Sequence, residues 1–159
     1  MKELAELRAT TRLEIVAIKE TRWSGNGLIK RSNYSLYYSG SNKTGQAGTG
    51  CIVTKRTFKY FFLEFGTYNE RQCKLRIKGK YNNRTLINVY APTEDKIDED
   101  KEQFYEDLQS VVDEVPKSDI AIILGEPNAK LGKERVNILY MMKQIEMVKC
   151  YVNLFLQII

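Results

Sequence analysis

A chain of 159 residues with 43% apolar and 28% charged residues has the makeup of a soluble globular protein with a single core. It contains no histidine, which excludes Ser-His-Asp and Cys-His catalysis and removes the commonest zinc ligand and the usual general base. The net charge of +5 conceals an asymmetry, because residues 1 to 93 hold 17 Lys+Arg against 6 Asp+Glu while residues 94 to 159 hold 8 against 14; a basic front segment suits a polyanionic partner as well as a solvated surface.

In chain order, Lys2 to Arg8 reads as a short helix. Leu13 to Ile18 (LEIVAI) is an apolar, β-branched run that reads as a buried strand. It ends in Lys19-Glu20-Thr21-Arg22-Trp23, followed by the turn-forming Ser24-Gly25-Asn26-Gly27. Tyr34 to Tyr38 reads as a strand, the glycine-rich stretch Gly40 to Gly50 as a hairpin turn, and Cys51 to Thr54, Phe58 to Phe65, Arg71 to Lys78 and Thr85 to Tyr90 as further strands. Their spacing, with turn signals between them, is that of a sandwich. A charged amphipathic helix is expected from Thr93 to about Val112, with Thr93 or Asp95 as its cap and Ile97, Phe104, Leu108 and Val111 as its apolar stripe. Ile120 to Leu124 (IAIIL) is apolar throughout and reads as a strand buried on both faces. Beyond Gly132 the apolar spacing is helical, which divides the chain into a domain over 1–134 and a helical tail over 135–159.

Cys51, Cys73 and Cys150 are odd in number and widely spaced. They read as structural thiols of a reducing, intracellular protein. The segment from Met1 to Thr11 lacks the apolar core of a signal peptide, and the apolar end Tyr151 to Ile159 is too short to span a bilayer, so no membrane partner is expected. The stretch Gly40 to Gln46 does not meet the phosphate-loop pattern, since Gly45 is followed by Gln46-Ala47.

Three apolar strands finish in polar residues, namely Glu20 after LEIVAI, Tyr90 after TLINV, and Glu126 with Asn128 after IAIIL. Strand ends are where a rigid sheet presents side chains to a cleft. A carboxylate there needs a partner, and a divalent cation is one candidate.

The succession IVAIKETRWSGNG, TGCIVTKR, KLRIKGK, INVYAPTED and IILGEPNAKLG resembles the endonuclease/exonuclease/phosphatase superfamily. Within it, the resemblance is to the endonuclease domain of non-LTR retrotransposons and of craniofacial-development-protein-like relatives, over residues 12 to 134. The resemblance implies an α/β fold, a four-layer αββα sandwich of the DNase-I-like type, present here in its first half to two-thirds. It implies Glu20 as ligand of a catalytic Mg2+, Tyr90 as contact to the scissile phosphate, Glu126 as the group activating or positioning the attacking water, Asn128 as the group orienting that water or the phosphate, and Arg22 near a DNA backbone. The reaction implied is metal-assisted phosphodiester hydrolysis.

The sequence also departs from that pattern. No asparagine-bearing strand precedes Leu13. Glu126 and Pro127 stand where the family has aspartate and phenylalanine, and the family's closing Asp and Asp-His pair has no counterpart in a chain without histidine. The expectation is therefore a truncated domain with weak Mg2+ binding and no turnover of its own, the alternative being a non-catalytic remnant or weak nucleic-acid-binding module.

Overall fold

The computed structural model describes residues 13–41, 47–93, 95–126 and 146–149, with Glu126 and the last four given by their backbone path. Four strands form one antiparallel sheet, β1 (Ile15–Lys19), β2 (Asn26–Lys30), β3 (Tyr34–Ser39) and β4 (Thr49–Thr54), in the order β1-β4-β3-β2. A second sheet orders β5 (Phe62–Asn69), β6 (Gln72–Ile77), β7 (Arg84–Tyr90), β8 (Ile120–Glu126) and β9 (Glu146–Lys149) in sequence. Its first three strands are antiparallel, and β7, β8 and β9 are parallel. Helix α1 (Lys55–Tyr60) follows β4, and α2 (Asp98–Asp113) makes the crossover between the parallel pair β7 and β8.

The two sheets pack face to face. Ile15, Tyr37, Cys51 and Val53 of the first sheet meet Cys73, Leu75, Ile77, Leu86, Ile122 and Leu124 of the second. Each fully buried aliphatic side chain in such a core contributes about 2 kcal/mol. Tyr37 adds ring contacts to Phe62 at 5.2 Å and Phe65 at 4.8 Å, joining β3 to β5. The opposite face of the second sheet, with Ile87, Val89 and Ile123, is covered by Phe104, Tyr105, Leu108 and Val111 of α2. Two β layers and a helical layer are thus described. The helix expected over Lys2 to Arg8 lies outside the described residues.

One polar side chain bridges the apolar interface. Buried Asn88 on β7 donates through Nδ2 to the carbonyl of Ile18 at 2.8 Å and to that of Gly50 at 3.0 Å. A buried amide is tolerated there because it satisfies two backbone acceptors of the other sheet. The bridge fixes the end of β1 against the end of β7, which is where the candidate site lies.

Five expectations are corrected. Phe58 to Phe65 is not a continuous strand: Thr54 caps α1 by accepting from the amide of Thr57, and both threonines donate to Glu14 at 2.6 Å, so the strand begins at Phe62. Asn26 and Gly27, expected as turn residues, open β2, because the turn is completed at Gly25 with φ 67°. α2 begins at Asp98 rather than Thr93, and Ile97 is its N-cap, 62% exposed and outside the apolar stripe. Ile120 is exposed at the start of β8, although Ile122, Ile123 and Leu124 are buried. In the tail expected to be helical, Glu146–Lys149 is a strand pairing with Ile122 to Gly125; the backbone of β8 offers ladder partners that the apolar spacing does not report.

Candidate functional site

The segment after β1 takes an uncommon path. Glu20 and Arg22 both have φ 55°, a left-handed conformation that costs a residue with a Cβ about 1–2 kcal/mol. The path is held by a neighbouring loop, with the amide of Thr21 donating to the carbonyl of Gly48 at 3.2 Å and that of Arg22 to Ala47 at 2.8 Å. Ala47 is itself left-handed at φ 65°, and Gly48 at φ 106° occupies a region L side chains rarely enter. Gly48 in turn donates to Glu70 in the β5–β6 turn at 3.0 Å. Three loops from two sheets are therefore laced together by backbone bonds.

The consequence is convergence of side chains. Glu20 accepts from the Tyr90 hydroxyl at 2.9 Å on Oε1 and from Arg22 at 3.2 Å on Oε2. Tyr90 is anchored at both ends of its peptide by Arg71: its amide donates to the Arg71 carbonyl at 2.9 Å, and the Arg71 guanidinium donates to its carbonyl at 3.2 Å. The guanidinium also lies 5.4 Å from the Tyr90 ring centre, and Lys19 Nζ lies 5.8 Å from it. Glu20, Arg22, Ala47, Arg71, Tyr90, Thr93 and Lys96 line an open cleft of about 390 Å³.

The electrostatics follow from these contacts. The Tyr90 hydroxyl first, then the Arg22 guanidinium, hold the Glu20 carboxyl below its usual range. The Tyr90 hydroxyl moves up, by partial burial first and then by the carboxylate it donates to. Glu20 is therefore a carboxylate throughout the neutral range. Its side chain is 44% exposed to the cleft, and that of Arg22 is 70% exposed.

Of the expected site residues, Glu20, Arg22 and Tyr90 come together here. Glu126 ends β8 with its backbone paired to Tyr90 in the parallel register. Asn128 lies outside the described residues. Among the described residues no three of His, Cys, Asp and Glu cluster as a closed metal cage. A lone carboxylate in an open cleft nevertheless fits Mg2+, which takes one or two protein carboxylates and fills its octahedron with water and phosphate oxygens.

Sequence reasoning missed Arg71 and Lys96. Arg71 sits in a hairpin turn, and only the pairing of Gln72 with Val89 brings it beside Tyr90. Lys96 follows the NVYAPT motif in a segment expected to be helical. Both are basic, so the regional excess of charge was the signal available.

No protein-family model matches the chain. Among curated proteins it is similar to craniofacial development protein 2 of Bos taurus and of Tragulus javanicus, 34% identical over 124 residues in each case. That match covers 78% of this chain, which spans only 21% of the length of those relatives. Among solved structures it is similar to TDP2 of D. rerio complexed with single-strand DNA product, with TM-score 0.56 at 13% identity, covering 82% of this chain and 54% of that one. A humanized D. rerio TDP2 gives TM-score 0.58 at 16% identity over 87% of this chain and 61% of that one. Truncated TDP2 of Caenorhabditis elegans gives 0.51 at 15% identity, covering 81% and 55%. The two sheets thus have the DNase-I-like fold of TDP2 over the part of it that they cover.

Proposed function

We propose that this chain carries the Mg2+- and phosphate-binding part of a phosphodiester-hydrolysing endonuclease domain, of retroelement derivation, and that these 159 residues do not turn over by themselves. The observation that carries the reading is the 2.9 Å hydrogen bond between Glu20 and Tyr90, which joins the ends of two strands from different sheets at an open, cation-lined cleft. The ETRW and INVYAPTE segments support the retroelement branch, and the DNase-I-like fold, seen with DNA product in TDP2, supports a nucleic-acid substrate.

In this reading Glu20 is the protein ligand of Mg2+, while Glu126, the last residue of β8, and Asn128, two positions further along the chain, act on the attacking water. The cation, when bound, supplies Lewis-acid polarisation of the phosphate and stabilises the leaving oxygen. The chain's own contribution is orientation. Tyr90, held by Arg71, directs its hydroxyl into the cleft, and Arg22, Arg71 and Lys96 offset phosphate charge. The fourth layer of the sandwich and the remaining catalytic groups belong to parts of the domain that the described residues do not include.

The test is nicking of supercoiled plasmid with Mg2+. The chain alone should give no nicking above that of a Glu20→Ala control. A chimera joining it to the remainder of the corresponding craniofacial development protein 2 domain should nick, and should lose that activity with Glu20→Ala. A folded chimera that stays silent would sink the nuclease reading. Mg2+-dependent nicking by the chain alone, lost in Glu20→Ala, would sink the claim that it needs more.

A further inference from the structure

A second basic surface lies at the end of the sandwich opposite the cleft. Glu20 and Tyr90 mark one end, at the finish of β1 and β7, whereas the finish of β4 and β6 and the start of β3 mark the other. Strands of five to eight residues separate the two ends by about 20 Å. At the far end three segments are joined through the backbone. The amide of Lys55 donates to Asn33 in the β2–β3 turn at 3.1 Å, and that of Lys78 donates to Phe61 after α1 at 2.7 Å.

This surface is strongly cationic. Lys30 ends β2 and Arg31 opens the β2–β3 turn, Lys55, Arg56 and Lys59 come from α1, and Lys78 and Lys80 from the β6–β7 loop, all exposed. Among the described residues none of these seven forms an ion pair. Nearby carboxylates are turned inward: Glu14 accepts from Thr54 and Thr57, and Asp119 is held by Arg76. Two tyrosines stand among the cations, Tyr60 at 60% and Tyr81 at 88% exposure. Each has a lysine over its ring, Lys59 at 5.1 Å and Lys80 at 5.6 Å.

Uncompensated cations cost self-repulsion in the folded state, and large exposed rings cost hydration, so the combination calls for a ligand that answers both. Single-stranded nucleic acid does so, because its phosphates pair with lysine and arginine while its unpaired bases offer flat faces to tyrosine. A membrane is the poorer fit. Interfacial binding needs a helix with a broad apolar face, and α1 has six residues of which three are basic. We propose that the pole formed by the β2–β3 turn, α1 and the β6–β7 loop is a second binding surface for single-stranded DNA or RNA, separate from the cleft and independent of whether the cleft is catalytic.

The experiment is fluorescence anisotropy of labelled oligothymidylate and oligouridylate over a range of salt, with phosphatidylserine vesicles as a third probe. Lys55→Glu/Arg56→Glu/Lys59→Glu should weaken binding of at least one oligonucleotide by tenfold or more and lower its salt slope by about 2, since each phosphate contact on a single strand contributes about 0.7. Tyr60→Ala/Tyr81→Ala should weaken it about tenfold with the slope unchanged, and Gln109→Ala, exposed on α2 and part of neither basic surface, should leave it near wild type. The relative loss between the two oligonucleotides assigns DNA or RNA. Circular dichroism checks folding, and the corresponding glutamine triple variant replaces the glutamate one if that unfolds. The proposal is overturned if the wild-type chain binds neither oligonucleotide, if the triple variants bind as wild type does, if only Arg22→Ala in the cleft loses binding, or if the triple change removes vesicle binding alone.

Discussion

The carboxylate of Glu20, just past the end of β1, and the hydroxyl of Tyr90, at the end of β7, meet at 2.9 Å although 70 positions of chain separate them and the two strands belong to different sheets. The contact exists because Asn88, two residues before Tyr90, donates to the carbonyl of Ile18, two residues before Glu20. A buried amide thereby sets the register of an exposed polar contact.

Tyr90→Phe removes the largest influence lowering the Glu20 pKa. The Glu20 carboxyl should rise toward its ordinary value of about 4.3, as read by NMR of the labelled carboxyl carbon. A depressed carboxyl contributes stability above its unfolded pKa and loses it as pH falls through the folded value. Wild type and variant should therefore differ in urea midpoint at pH 7 and converge at acidic pH. Because Glu20 is almost half exposed, that difference should stay below about 1 kcal/mol. An unmoved Glu20 would show that the hydrogen bond is not made in solution.

Asn88→Ala should be the costlier change. It leaves two inter-sheet carbonyls without their donor, and each unsatisfied buried group costs about 1–3 kcal/mol. Urea unfolding should show a loss of about 2–4 kcal/mol, and a change within 0.5 kcal/mol would mean that water replaces the amide freely.

What the sequence disclosed, and what it did not, follows from the range of the interactions involved. β1, β3, β4, β6, β7 and β8 were legible because apolar runs bounded by turn residues are local signals. α1 was not, since its cap at Thr54 depends on Glu14, 40 residues earlier. Glu20 and Tyr90 were legible as polar residues closing apolar strands. Arg71 was not, because its role depends on hairpin pairing. Nor could the sequence show that Glu20 and Arg22 adopt positive φ, which the loop at Ala47 and Gly48 imposes from outside.

Asp119 offers a pH test in the second sheet. Its buried carboxylate accepts from Arg76 at 2.7 and 3.0 Å and from Thr85 at 2.9 Å, and these partners, Arg76 first, hold its pKa down. The stability it contributes is complete above the ordinary aspartate pKa of about 3.9 and lost as pH falls through the lowered folded value. Asp119→Asn should cost about 2–3 kcal/mol at pH 7, with Arg76 left without its counter-charge. The gap should narrow steadily below about pH 4. A gap independent of pH would assign the loss to packing.

Magnesium binding should be weak. Glu20 is the one described carboxylate lining the cleft, and Arg22 already occupies one of its oxygens. Fluorescence of Trp23, close in sequence to Glu20, should saturate only at millimolar Mg2+ or above, and Glu20→Ala should abolish the response. Saturation in the low micromolar range would show that further ligands complete the site.

Two adjacent residues in the loop beneath Glu20 should respond very unequally to a change of one methyl group. Ala47→Gly relieves a left-handed residue with a Cβ, worth about 1–2 kcal/mol, and loosens the unfolded chain by about 0.5–1 kcal/mol, so it should leave stability unchanged or slightly raised. Gly48→Ala has no such compensation. Its φ of 106° is strained for any side chain, and the new Cβ would stand 2.2 Å from Thr21 Oγ1 and 3.1 Å from the Arg22 amide. The hydroxyl can rotate away, but the amide belongs to the bridge that holds Arg22 on Ala47. Gly48→Ala should therefore lose at least about 2 kcal/mol and shift the Trp23 emission, while Gly48→Ala/Thr21→Ala should recover only the part due to the hydroxyl clash. If the double variant returned to wild-type stability, the backbone at Gly48 would be free to relax. The left-handed turn at Glu20 and Arg22 would then owe its shape to something other than this loop.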